Sequence, residues 1–196
     1  MEIRTPRLHL RRWRADDLGP FAELNADPEV MAHFPAPLDR AASDALAARA
    51  DAVLERDGWG LWALEVTEGA DAGAFAGFTG LAVPTWPASF GPCTEVGWRL
   101  ARWAWGRGYA TEAARHAVEH GFRYLGLGEI VSFTARTNAR SQAVMERLGM
   151  RRDPDGDFLH PRVPSGHPVA PHVLYRLGAR TWCASSTLSD RAGPSR

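Results

Sequence analysis

Two glycines set the terms on which this chain can fold. Gly106 and Gly108 stand between an alternating, strand-like run (94–101) and the most regular helical run of the sequence (109–125). Glycine adopts backbone angles that other residues resist and lets a ligand come close to the main chain. The helix that follows offers unpaired N–H groups and the positive end of its dipole. A strand, a glycine turn and a helix start, in that order, make an anion site that most often takes phosphate.

The flanking periodicities place this turn in a domain. After the glycines, Ala110, Ala113, Ala114, Ala117, Val118, Gly121, Phe122 and Leu125 recur at helical spacing, with Glu112, Arg115, His116, Glu119, His120 and Arg123 on the other side. Before them, Val96, Trp98 and Leu100 alternate with Glu95, Gly97 and Arg99, the period of a half-exposed strand. Gly97 within that strand suggests a bulge. Upstream, 7–13 reads as a strand, Asp16 and Asp17 open a helix, and Asp39 caps a second helix through about Arg56. The runs 59–66 and 74–83 form a hairpin. Downstream, 129–136 is a strand, 138–148 a short helix stopped by Gly149, 153–171 a long Pro-rich loop and 172–177 a last strand. The order β-α-α-β-β-β-α-β-α-β fits a mostly antiparallel sheet with helices on its faces.

Length and charge narrow the partners. At 196 residues the chain is one domain, assigned here to 1–184, with a polar, small-residue tail over 185–196 expected to be disordered. Basic and acidic residues balance at 23 each, which gives no reason to expect nucleic acid or an anionic membrane as partner. There is no lysine: every basic residue is arginine. Cys93 and Cys183 make no disulfide framework, and no run reaches 18 apolar residues, so the expectation is a cytoplasmic protein, not a secreted or membrane one.

Three phosphate ligands compete for the glycine turn. A dinucleotide site wants a fully buried strand before the turn and an acid at the far end of the next strand. Here the first strand alternates, and Glu129 opens the next strand instead of closing it. A P-loop needs Gly-Lys-Ser/Thr, which a chain without lysine cannot supply. The third reading joins a second motif, Asn138-Ala-Arg-Ser141-Gln-Ala-Val144-Met-Glu-Arg-Leu148-Gly149, to the stretch Trp105-Gly-Arg-Gly-Tyr-Ala-Thr-Glu-Ala113 and to the strand Glu95-Val-Gly-Trp98. Together these resemble the GNAT superfamily of acetyl-CoA-dependent N-acetyltransferases, most nearly its Rim-type ribosomal-protein N-terminal acetyltransferase branch. The family's first glycine-motif position falls on Trp103, a departure.

The resemblance implies an α+β fold: a mostly antiparallel sheet with a central splay and helices on both faces. Acetyl-CoA lies in the splay as co-substrate. Its pantetheine pairs with the backbone of Trp98, Arg99 and Leu100. Its pyrophosphate takes the amides around Gly106, Arg107, Gly108, Tyr109, Ala110 and Thr111. Asn138 caps its helix or bonds pantetheine. Ser141 is placed near the sulfur as proton donor or thiolate stabiliser, and Glu95 is the general-base candidate. The acceptor is a primary amine, a protein N-terminus or a small molecule. At pH 7 about a tenth of α-amines are neutral, against roughly 0.04% of lysine side chains, which favours an α-amine at a site with one weak base. An antibiotic or other small amine, or a non-catalytic acyl-CoA-binding module, are the alternatives. No metal site is expected: His116 and His120 frame Glu119 but do not make H-E-x-x-H. The chain is expected to be a monomer or a homodimer, with the strand 172–177 as a candidate pairing edge.

Overall fold

A computed structural model describes residues 1–189 and the side chains of 1–184. Eight strands form one sheet in the order β1-β2-β3-β4-β5-β6-β8-β7. They are β1 (Ile3–Arg4), β2 (Leu8–Arg11), β3 (Leu61–Val66), β4 (Phe75–Ala82), β5 (Glu95–Leu100), β6 (Glu129–Ala135), β7 (Arg151–Leu159) and β8 (Pro171–Gly178). The helices are α1 (Leu18–Ala26), α2 (Arg40–Asp57), α3 (Tyr109–Arg123), α4 (Ala139–Arg147) and α5 (Ala179–Ser189). The sheet is antiparallel except at β5–β6, where the two parallel strands meet at a single pair, Glu95↔Val131. Beyond that pair the strands splay.

Side-chain alternation sorts the two faces. Val96 lies opposite Leu81, and Leu81 touches Gly121 of α3, so even-numbered positions of β5 face α3. Arg99 lies opposite Phe78, which packs with Phe21 and Leu24 of α1, so odd-numbered positions face α1 and α2. Across the vertex, Val131 shares a face with Glu95, and Phe133 follows two residues on. Asp39 caps α2 by accepting from the Ala42 amide at 2.7 Å, and Gly58 ends it in the left-handed region (φ +76°), as the Asp39 and Asp57-Gly58 signals indicate.

The structure departs from the sequence reading in four places. The stretch read as a loop over 153–171 begins as strand β7, which pairs with β8 through a register shift between Asp153 and Phe158. Pro154 and Gly156 sit in that shift and hide the strand's period. Consequently β8 is an interior strand between β6 and β7, and 172–177 is not an edge. Gly97 makes no bulge against β4: the ladder runs one to one from Gly77↔Leu100 to Ala82↔Glu95. His120 is 4% exposed, packed edge-on to Trp62 of β3 and stacked on Tyr124, so the helix face on which it sits is covered there. The expected tail starts at 185. Helix α5 runs through that point to Ser189, and 190–196 lie outside the described residues. Among the described residues no helix is long and apolar enough to cross a membrane.

Candidate active site at the splay

The splay leaves backbone groups of β5 without a strand partner. The Val131 amide donates to the Thr94 carbonyl at 2.9 Å, and the Ser132 hydroxyl donates to the Val96 carbonyl at 2.9 Å, so even-numbered β5 residues aim their backbone at β6. Alternation then turns the amide and carbonyl of Trp98 and the amide of Leu100 into the gap. The Leu100 carbonyl accepts from the Trp105 indole at 2.9 Å. These amides are free because pairing with β6 is lost, not because of a bulge. Arg99 directs its backbone toward β4, so of the expected Trp98–Leu100 contacts only the first and last point at the gap.

Beyond β5 the chain makes a 3₁₀ turn (Arg102–Ala104) and enters the glycine loop. Gly106 (φ +73°) and Gly108 (φ +82°) both occupy the left-handed region. A Cβ on Gly106 would meet nothing within 4 Å, so that position is open to a ligand, whereas at Gly108 it would come 3.3 Å from the Arg7 guanidinium. Gly108 caps α3 without a side chain, and the first amide of the helix to find a carbonyl is that of Glu112, 3.0 Å from Gly108. The amides of Tyr109, Ala110 and Thr111 are thus the orphan donors at the positive end of a 15-residue helix. Arg107 is not free: it pairs with Asp71 of the β3–β4 loop and lies 5.5 Å over the Trp103 ring. Glu112 holds the N-terminal segment by accepting from the Arg7 amide at 2.9 Å and the Thr5 hydroxyl at 2.6 Å, and by pairing with the Arg7 guanidinium.

On the far lip, Asn138 caps α4 by accepting from the Ser141 amide at 3.1 Å, while its own amide donates to the Thr134 hydroxyl at 3.0 Å. That arrangement realises the capping half of its two expected roles. Ser141 stands in the first turn of α4, half-buried, at the end of the strand that forms one side of the gap.

Glu95 occupies the vertex, on the face turned toward α1 and α2. Burial pushes its carboxyl up to about 8, and it makes no hydrogen bond or ion pair among the described residues. Opposite it the sequence reading missed a wall of rings. Phe133 on β6 lies 5.7 Å from Trp86, 6.0 Å from Phe90 and 5.5 Å from Phe158. His160 and His172 are 4.8 Å apart beside them, and burial holds both below the ordinary imidazole range, His160 at about 4. The wall is therefore uncharged at neutral pH. Trp13 packs on Phe21 and Phe75 and Trp62 is fully buried, so neither joins this wall.

The groups at the gap fit acetyl-CoA: orphan helix amides for a pyrophosphate, an open glycine, and unpaired strand amides for an amide-bearing arm. Among the described residues no cluster of three or more His, Cys, Asp or Glu could hold a metal ion.

Comparison with known proteins agrees with this geometry. Residues 7–151 match the family described as the acetyltransferase (GNAT) domain. An FsC-acetyl coenzyme A-N(2)-transacetylase of Aspergillus fumigatus is 41% identical over 97 residues, which is 47% of this chain and 39% of that protein. The alignment thus spans well under half of that relative. An acetyltransferase structure from Agrobacterium tumefaciens is 27% identical, covers 90% of this chain and 94% of its own, and has a TM-score of 0.70. RimL, a ribosomal alpha-N-protein acetyltransferase solved with coenzyme A, shares the fold at a TM-score of 0.69 over 91% of this chain and 98% of its own, but only 14% of its residues. At that identity the likeness shows the fold alone, and the Rim-type branch expected from the sequence is not shown.

Proposed function

This chain belongs to the GNAT acetyltransferase family, and from that premise we propose that it is an acetyl-CoA-dependent N-acetyltransferase acting by direct transfer to a primary amine. The observation that carries the reading is the carboxyl of Glu95, held near pKa 8 at the vertex of a gap whose strand amides are unpaired. Acetyl-CoA supplies an activated acetyl thioester. The chain's own groups do the rest. The orphan amides of Tyr109–Thr111 donate to the pyrophosphate, and the turn of Gly106 and Gly108 lets it approach. The Trp98 amide, fixed in the gap by the β4 ladder, is a preorganised donor for the oxyanion that forms as an amine attacks. Glu95 takes the proton of the incoming ammonium, directly or through one water. Ser141, at the start of α4, donates a hydrogen bond to the departing thiolate, which takes up the proton that the nitrogen of the forming amide loses.

The favoured acceptor is a protein or peptide N-terminal α-amine. An α-ammonium of pKa about 7.7–8.0 is matched to a base near 8, whereas a lysine ammonium at about 10.4 is not. A small-molecule amine is the second reading, favoured by the Aspergillus relative, which is named for acetyl transfer to an N(2) position. We place the reaction in the cytoplasm.

The test is thiol release from acetyl-CoA in the presence of N-terminal peptides and small amines. Transfer is expected with at least one class; tight acetyl-CoA binding with no thiol from any amine identifies a non-catalytic module. Within the enzyme, Ser141→Ala should lower kcat on the order of 100-fold with acetyl-CoA affinity kept. An unchanged kcat removes Ser141 from the mechanism.

A further inference from the structure

The acceptor side of the cleft holds a cation that the fold does not neutralise. Arg99 projects from β5 on the same face as Glu95, toward α1 and the connection between α1 and α2. Its guanidinium lies 4.1 Å over the Phe34 ring and 5.5 Å over Phe78. Its one hydrogen bond is to a neutral group, the Asn25 carbonyl oxygen, at 2.5 Å. Asn25 is itself fully buried and is oriented by donating to the Ser43 hydroxyl at 2.9 Å. The Nε of Arg99 is sealed from solvent and has no partner among the described residues. No carboxylate of the described residues lies within ion-pair distance of the guanidinium. The acids nearby are engaged elsewhere: Asp27 and Glu29 both pair with Arg102.

Arg99 is half-buried, and its sealed Nε carries a desolvation cost that no partner offsets. Two aromatic faces offset part of that cost but satisfy none of the N–H groups. The family of contacts around Arg99 therefore reads as a socket: Ser43 orients Asn25, Asn25 and Phe34 hold the fork, and the remaining donors await an acceptor. A guanidinium fork matches a carboxylate bidentately. The glycine loop and the start of α3 provide for the phosphates, and the side chain of Arg99 sits on the opposite face of the sheet, so the awaited anion is not the cofactor's.

Resting on the acetyltransferase reading above, we infer that the acceptor is an amine that also bears a carboxylate, which Arg99 pairs while the amine meets Glu95. Four residue steps of strand separate their Cα atoms, a span of about 13 Å at ~3.3 Å per residue, of which the two long side chains can cover part. The carboxylate is accordingly set off from the amine by a spacer, as in an ω-amino acid or the second side chain of a peptide.

The experiment compares matched acceptors with the full chain and acetyl-CoA. One arm uses ω-amino carboxylates of three to six carbons, each beside its uncharged amide. The other uses peptides with Glu at the second residue, each beside the Gln version. The acid-to-amide ratio of kcat/KM is expected to be tenfold or more in one arm, which also distinguishes a small-molecule from a peptide source. It should fall toward one in Arg99→Gln. It should fall likewise in Asn25→Asp, which supplies an internal carboxylate to the fork and does not depend on the first variant folding. A ratio of one or less in both arms, or a ratio unmoved by both variants, overturns the inference and leaves the transferase reading standing. No transfer to any amine, charged or neutral, overturns both.

Discussion

Burial works against the charge of Glu95, and the consequence for stability runs in one direction with pH. Its carboxyl rests near 8 in the folded chain against an ordinary value of 4.5. Between those values the folded state holds a proton that the unfolded state has released. Stability from this group is therefore full below about 4.5 and falls as pH rises through about 8. Catalysis needs the opposite form, so activity should rise through the same range. Glu95→Gln should then lower kcat by about 10²- to 10⁴-fold and abolish the rise near pH 8. It should also melt higher than the parent at pH 9, by a margin that shrinks at pH 6, as read by calorimetry at both pH values. A variant with the parent's pH–rate profile would take the base role away from Glu95. Glu95 and Ser141 were visible in the sequence because both lie in motif stretches. The environment of Glu95 was not, since its desolvation comes from residues distant in the chain. Arg99 shows the same divide: the sequence offers it for a backbone contact, while the fold gives its side chain a socket built by Asn25, Phe34 and Phe78.

At the level of elements, the position of β5 depends on one glycine in the strand beside it. Gly77 of β4 has φ +134°, and a Cβ there would lie 2.1 Å from the Arg99 carbonyl and 2.8 Å from the Leu100 Cα. Neither neighbour is a flexible side-chain tip, so the backbone of β5 must move. Gly77→Ala should therefore destabilise by about 3 kcal/mol or more, a fall in Tm of roughly 6–12 °C for a domain of this size. Because β5 carries Glu95 and the gap amides, the variant should lose acetyl-CoA affinity even where it remains folded. A melting curve and a binding titration check the two effects; a variant with parental Tm would show that β4 yields instead. Elements with strong local signals were legible: α3 by its stripe, α2 by Asp39 and Gly58, the β3–β4 hairpin by its two apolar runs and the turn between them. Strand β7 was not. Its register shift places Pro154 and Gly156 mid-strand, and its partner β8 supplies the pairing that its own sequence does not advertise. The splay shows the same limit, since a strand that loses a partner halfway along looks no different in sequence from one that keeps it.

Taken as one molecule, the structure ties the two lips of the gap together through a segment that belongs to neither. The connection 27–38 between α1 and α2 reaches the β5 side through Glu29, 2.6 Å from Arg102, and the β6 side through His33, 3.3 Å from the Thr137 hydroxyl. Phe34, next to His33, lies over Arg99. A ligand that fills the gap must therefore act on a strap contacting both splayed strands and the acceptor face. Such coupling explains why the acceptor side was the least readable part of the chain: Asn25, Phe34, Trp86, Phe133 and Phe158 share no spacing and meet only when the sheet is assembled. It also yields a prediction at this scale. In hydrogen exchange, acetyl-CoA should increase protection first at 106–111, where the helix amides gain a partner, and at 96–100, whose gap-facing amides do the same. Protection should also rise in 27–38, since an occupied gap holds both of its anchoring lips in place. The β1–β2 edge, which meets the glycine loop and the start of α3 through Thr5 and Arg7 of its turn, should change least. Protection at 106–111 with none at 27–38 would show the strap to be independent of the cofactor. Protection at 27–38 without any at 106–111 would displace the pyrophosphate from the glycine loop.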